Sequence, residues 1–237
     1  MSKRQFTSEP EMMDRPEASP AELEGALRSL LALNRYFGSY RVVRRFLERW
    51  IRRGHRLRVL DLATGSADIP RLVAEHARRV GAEVQIRALD FQPATVEIAR
   101  RWSAAYPEIT CECADALTFS SNEQFDLVTC SLALHHFSEE DAVRLLTRAR
   151  ALSRRFVLVS DLRRGWPLRV GVDLLTALIF RDPMTFHDGR ASVRRAFSFD
   201  ELRTLAQRAG WQNFDAAKFG IGWQAIWLEP AGEAKRS

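Results

Sequence analysis

The chain has 237 residues, 46% hydrophobic and 28% charged, enough to bury one substantial core and short for two. A formal charge of +6 and a pI near 9.8 suit a nucleic-acid binder, yet the arginines are spread over 41–58, 144–169 and 190–208 rather than gathered. That spread reads as solvated helix faces and argues against nucleic acid as a partner.

Residues 1–18 are polar and contain Pro10 and Pro16, so they read as a flexible arm with no apolar core of signal-peptide length. Ser19-Pro20-Ala21-Glu22 reads as a helix start, with proline at the first helical position and glutamate at the third. Leu23, Leu27, Leu30, Leu31 and Leu33 then form a stripe, and after Gly38 a second helix is predicted through Val42, Val43, Phe46, Leu47, Trp50 and Ile51. Residues 19–54 are thus expected to be cap helices ahead of the first strand, over a pocket. From Leu57 onward short apolar runs alternate with amphipathic segments. Strands are predicted near 57–62, 84–89, 109–113, 125–130, 155–160, 213–219 and 222–228, with helices near 68–80, 93–104, 139–153, 167–181 and 198–209. The longest apolar run, 170–180, is broken by Gly171 and Asp173, so no membrane span is expected. Gly220-Ile221-Gly222 joins the last two strands. The pattern predicts an α/β fold over 55–230, a Rossmann-like, doubly wound seven-stranded sheet, mostly parallel with a C-terminal antiparallel hairpin, and a flexible tail at 231–237. Cys111, Cys113 and Cys130 lack the spacing of a zinc site, and a reduced, cytoplasmic protein is expected.

Val59-Leu60-Asp61-Leu62-Ala63-Thr64-Gly65-Ser66-Ala67-Asp68-Ile69-Pro70 is an apolar strand, a small-residue turn and a helix start. Small residues let the backbone approach a ligand, and the helix N-terminus offers N–H groups to a carboxylate or phosphate. One glycine stands where a dinucleotide fingerprint has three, which lowers the nicotinamide reading. One strand–helix unit later, Ile86-Arg87-Ala88-Leu89-Asp90 ends in an acid able to accept two ribose hydroxyls; the alternative is a cap for the helix opening at Pro93.

VLDLATGSADIP, RALDFQPATVEIAR, CADALTF and FDLVTCSLALHHF together resemble four successive motifs of class I S-adenosylmethionine-dependent methyltransferases. The resemblance covers 55–230 and is nearest the ubiquinone/menaquinone-biosynthesis type and methyltransferases encoded beside polyketide synthases. It implies S-adenosyl-L-methionine as cofactor, with Asp61, Ala63, Gly65 and the Ser66 backbone around its methionine part. Asp90 would hold the ribose, Phe91 would lie beside the adenine, Asp115 and Ala116 would meet the adenine edge, and Ser131 and Leu132 would line the sulfur. The sequence departs from the family in carrying Ala63 and Ala67 where many members have glycine.

Transfer to a hydroxyl or activated carbon is helped by a base. His135 and His136 follow the fourth strand, and His187, in a turn Thr185-Phe186-His187-Asp188-Gly189, could reach back over the pocket; His135 and His187 are the catalytic candidates. Segment 161–197 reads as a substrate lid, with Asp161, Arg163 and Arg194 as acceptor-binding candidates beside Arg195, and Tyr36 and Phe37 as an aromatic wall. No metal site is apparent. The expected function is methyl transfer to a small aromatic, quinone-like or polyketide-derived acceptor, on oxygen or carbon. The alternatives are an RNA methyltransferase, for which the Pro-Cys and Asn-Pro-Pro-Tyr signatures are missing, and a non-catalytic binding module of the same fold.

Overall fold

The structure, a computed structural model, describes Arg4 and residues 19–165 and 183–230. Helix α1 (Pro20–Phe37) opens with a reciprocal cap: the Glu22 N–H donates to the Ser19 hydroxyl at 3.3 Å, and the Ser19 N–H donates to the Glu22 carboxylate at 3.0 Å. Gly38, at φ +101°, ends α1 and leads directly into α2 (Ser39–Trp50), a corner in the left-handed region that glycine enters without penalty. Leu23 and Leu27 of α1 pack on Ile98. The apolar face of α2 buries Val43, Phe46, Leu47 and Trp50, with Trp50 stacked on Phe156 at 4.7 Å between ring centroids.

Strands β1 (Arg56–Leu62), β2 (Glu83–Asp90), β3 (Ile109–Cys113), β4 (Phe125–Ser131), β5 (Ser153–Leu162), β6 (Asp215–Phe219) and β7 (Trp223–Leu228) form one sheet in the order 3-2-1-4-5-7-6. The first five run parallel, and β7 lies antiparallel between β5 and β6. Helices α3 (Asp68–Val80), α4 (Pro93–Trp102), α5 (Glu139–Leu152), α6 (Pro183–Arg195) and α7 (Phe199–Arg208) complete the described elements. Alternate residues of the central strands enter opposite cores. Leu127, Phe156 and Leu158 pack with α2 and α3, while Val128, Cys130, Val157 and Val159 pack with α5, α7 and Trp211. Covered on both faces, β4 is buried almost throughout, as a central parallel strand is, and its polar Asp126 and Thr129 are buried with it.

The chain leaves β1 toward β2 and β3, then returns to lay β4 on the other side of β1. That reversal opens a crevice at the carboxyl ends of β1 and β4, where open α/β sheets take ligands. Two expectations need correction. Residues 185–189 are not a loop but the first half of α6, and Gly189 sits inside that helix. β5 begins at Ser153 rather than 155, because Ser153 pairs with Phe125 across a register irregularity ahead of Leu127. The helix expected at 167–181 lies outside the described residues, apart from which no described helix is long and apolar enough to cross a membrane.

Candidate cofactor and acceptor site

The turn after β1 is built by alternation. Ala63, Gly65 and Ala67 have φ of +53°, +55° and +58°, so every second residue is left-handed, the region that favours glycine. Alanine is the smallest L-residue that can be put there, at a cost of roughly 1 kcal/mol each. The Thr64 N–H donates to the Leu89 carbonyl at 2.7 Å, tying the turn to β2. We expect Ala63→Gly to change unfolding free energy by less than about 0.5 kcal/mol, because relief of strain offsets the entropy gained by the unfolded chain. Ala74→Gly inside α3 should instead cost about 1 kcal/mol; urea unfolding of the two variants checks the contrast.

Asp61 is buried and accepts the Thr64 hydroxyl at 2.6 Å and the Thr129 hydroxyl at 2.5 Å. It therefore braces the turn from below and links β1 to β4. Burial pushes its carboxyl up to about 7, against the lowering effect of the Thr129 and Thr64 hydroxyls, with Asp68 and Asp90 adding repulsion. Between the ordinary value of 3.8 and about 7, the folded protein holds a proton that the unfolded chain has released. Stability is consequently greatest on the acid side of this window and falls as pH rises through it. Asp61→Asn carries no proton, and its amide can accept from one threonine while donating to the other. Thermal unfolding should find the variant more stable than wild type at pH 8, by on the order of 3 kcal/mol, and the gap closing toward pH 4.

The cap helices reach this turn. Asp68, the first residue of α3, accepts from Asn34 Nδ2 of α1 at 3.1 Å and from Tyr40 Oη of α2 at 2.8 Å. Burial, then the Asp68 carboxylate, pushes the Tyr40 hydroxyl up. Sequence reasoning missed this cluster; its only signal is a polar residue on each of two otherwise apolar helix faces. Arg71 also holds the turn, donating to the Ser66 carbonyl at 2.6 Å.

At the end of β2, Asp90 accepts the Gly65 N–H at 2.8 Å and the Gln92 N–H at 3.1 Å. It thus joins the loops after β1 and β2, and Gln92, not Asp90, occupies the cap position of α4. Phe91 beside it is 61% exposed, one of two large apolar side chains so displayed among the described residues. The Ala114 N–H donates to the Asp90 carbonyl at 2.9 Å and so carries Asp115 to the same edge. Asp115 is exposed, with one oxygen accepting the Leu117 N–H, and Ala116 is buried. These four residues form the rim that the sequence reading assigned to ribose and adenine.

Across the crevice, Leu132 turns off β4 at φ +58°, its N–H held by the Ser160 carbonyl at 2.8 Å. Ser131 Oγ accepts from Ser160 Oγ at 3.0 Å. A short 3-10 turn, 134–136, follows. In it His135 is buried against Asp161 at the end of β5: Asp161 accepts the His135 backbone N–H at 2.8 Å and pairs with its ring Nδ1 at 2.7 Å. A carboxylate only accepts, so the Nδ1 facing it is the ring atom that carries a hydrogen. The His136 ring packs beside it at 4.3 Å between centroids.

The remaining candidates separate. Asp161, expected to touch acceptor, instead orients His135. Arg163 turns to the hairpin, with its N–H on the Gly222 carbonyl at 2.7 Å and Nη2 on the Gly220 carbonyl at 3.1 Å; it braces the β6–β7 turn. Arg194 is exposed in the last turn of α6, and Arg195 is buried. The side chains of Tyr36, Phe37 and His187 lie outside the described residues, as does the middle of the expected lid.

Residues 59–155 match the family described as "Methyltransferase domain". Over 81 residues the chain is 37% identical to the 2-phytyl-1,4-naphtoquinone methyltransferase of Thermosynechococcus vestitus, a match covering 34% of this chain and 35% of that protein. The chain therefore spans about a third of that relative's length. Among solved structures, the S-adenosylmethionine-dependent methyltransferase SibL shares the fold at a TM-score of 0.64 and 19% identity, over 92% of this chain and 61% of that one. Human N-acetylserotonin methyltransferase in complex with SAM does so at 0.63 and 17%, over 89% and 56%. The chain thus shares the fold of these methyltransferase structures, and its residues 59–155 match the methyltransferase-domain family.

Proposed function

We propose that the chain transfers a methyl group from S-adenosylmethionine to a small aromatic, quinone-like or polyketide-derived acceptor. The observation that carries this reading is the buried His135–Asp161 pair, which sits at the same sheet edge as Gly65 and Asp90. Asp61, Ala63, Gly65 and Ser66 would embrace the methionine part, Asp90 and Phe91 the ribose and adenine, Asp115 and Ala116 the adenine edge, and Ser131 and Leu132 the sulfur side. The exposed Phe91 ring and the acid before it suit an aromatic base carried on a sugar diol. The cofactor supplies a methyl group bonded to a positively charged sulfur.

The protein's own part is orientation, exclusion of water and proton removal. His135 Nε2 would take the proton from an acceptor hydroxyl or activated carbon, and Asp161 would stabilise the resulting imidazolium. Lost ion pairing does not explain the basic charge. Arg49, Arg56, Arg58, Arg78, Arg87, Arg101, Arg154 and Arg164 each meet a carboxylate, which supports a small acceptor over a nucleic acid. The three cysteines are free thiols, in keeping with a cytoplasmic setting. Incubation with methyl-labelled S-adenosylmethionine and a panel of naphthoquinols, phenols and β-ketothioesters tests the reading. Label in one of them supports it; label only in added RNA would replace it with the nucleic-acid reading.

A further inference from the structure

We propose that Arg4 is a positioning residue that fixes His135 for proton transfer, by locking the 3-10 turn carrying His135 to the end of α6. The inference rests on the transferase reading for what His135 does, and on geometry alone for what Arg4 does.

The Arg4 guanidinium lies between the end of α6 and the 3-10 turn, 131 to 191 residues away in sequence. Its Nε donates to the Arg195 carbonyl at 2.6 Å. Its Nη2 donates to the Phe137 carbonyl at 2.7 Å and the His135 carbonyl at 3.2 Å. Its plane covers the Phe197 ring at 3.7 Å from the centroid. Arg195 is the last residue of α6, and His135 and Phe137 close the 3-10 turn. Carbonyls at such ends have no partner within the helix and carry its negative pole, so a cation with several N–H groups in a fixed fork satisfies both at once.

The consequence falls on one residue. His135 has four polar atoms. Asp161 takes its backbone N–H and ring Nδ1, and Arg4 takes its carbonyl, leaving Nε2 as the atom not engaged by these two partners. Arg4 and Asp161 thereby hold the two peptide groups that flank the His135 Cα, one through the carbonyl and one through the N–H. The guanidinium is part-buried, and desolvation brings it down to about 10, while Glu139, Glu201 and Asp161 favour its charge and Arg164 opposes it. It stays a cation through the neutral range. A lysine would retain charge and lose the fork that spans three carbonyls.

The test uses full-length protein with ring-labelled histidine, and follows exchange of the His135 Nδ1 proton by nuclear magnetic resonance. The signal is identified by its loss in His135→Gln. Arg4→Ala and Arg4→Lys are each expected to speed that exchange about tenfold or more, while affinity for S-adenosylhomocysteine, read by calorimetry, stays within about twofold of wild type. Unchanged ring exchange in both variants, even with a lowered melting temperature, would overturn the proposal and reduce Arg4 to a tether. Should Arg4→Ala fail to fold, Arg4→Lys carries the comparison. Faster exchange in a protein that binds no S-adenosylhomocysteine would sink the transferase reading and leave the positioning claim intact.

Discussion

Asp90→Ala is expected to weaken S-adenosylmethionine binding by about 10²–10⁴-fold, with the protein still folded. Two hydrogen bonds from ribose hydroxyls to a charged acceptor contribute roughly 1.5–3 kcal/mol each, and both vanish with the carboxylate. The same side chain accepts the Gly65 N–H, so its loss also loosens the turn that faces the methionine part. Asp90→Asn separates the two contributions. The amide still accepts from Gly65 but has a single neutral oxygen, and it should weaken binding by only about tenfold. Calorimetry on both variants, with circular dichroism as the folding control, gives the measurement; equal and slight effects would remove Asp90 from the ribose site.

His135→Gln should lower kcat by about 10²–10⁴-fold, the usual contribution of a positioned general base, and leave cofactor affinity within about twofold. Glutamine can still donate toward Asp161, so the buried carboxylate keeps a partner and the fold is retained. Asp161→Asn should fall between wild type and His135→Gln, because the amide can turn either group toward Nδ1 and permits the wrong tautomer. Single-turnover methylation of whichever acceptor the labelling panel identifies separates this chemical step from binding. A full-rate His135→Gln enzyme would mean that orientation alone drives transfer.

The strands were legible because short β-branched and leucine runs such as Val157 to Val159 and Leu127 to Val128 need cover on both faces and admit few alternatives. The cap of α1 was legible down to Ser19 and Glu22. α6 was not, since Thr185 to Gly189 has the composition of a turn and Gly189 weakens the helical reading; its helical state comes from packing on α1 and on the 3-10 turn. The loops after β1, β2 and β3 could be placed from the ends of those strands. The pairing of His135 with Asp161 could not. It depends on the β4–β5 register that sets Ser131 opposite Ser160, and a register between two strands buried on both faces has no local signature in either segment. Arg4 was hidden for a related reason. A lone arginine in a polar, proline-containing run reads as part of an arm, and only the fold shows carbonyls waiting for it. Arg163 shows the opposite error: its place after β5 suggested the acceptor, but the hairpin turn gives it nearer partners.

The most direct test of the central claim is calorimetric titration of the wild-type chain with S-adenosylhomocysteine. One site per chain is expected, with a dissociation constant on the order of micromolar, and binding is expected to be lost in Asp90→Ala. A well-folded wild-type protein that takes up neither S-adenosylhomocysteine nor S-adenosylmethionine would contradict it, and would leave the methyltransferase fold serving as a binding module.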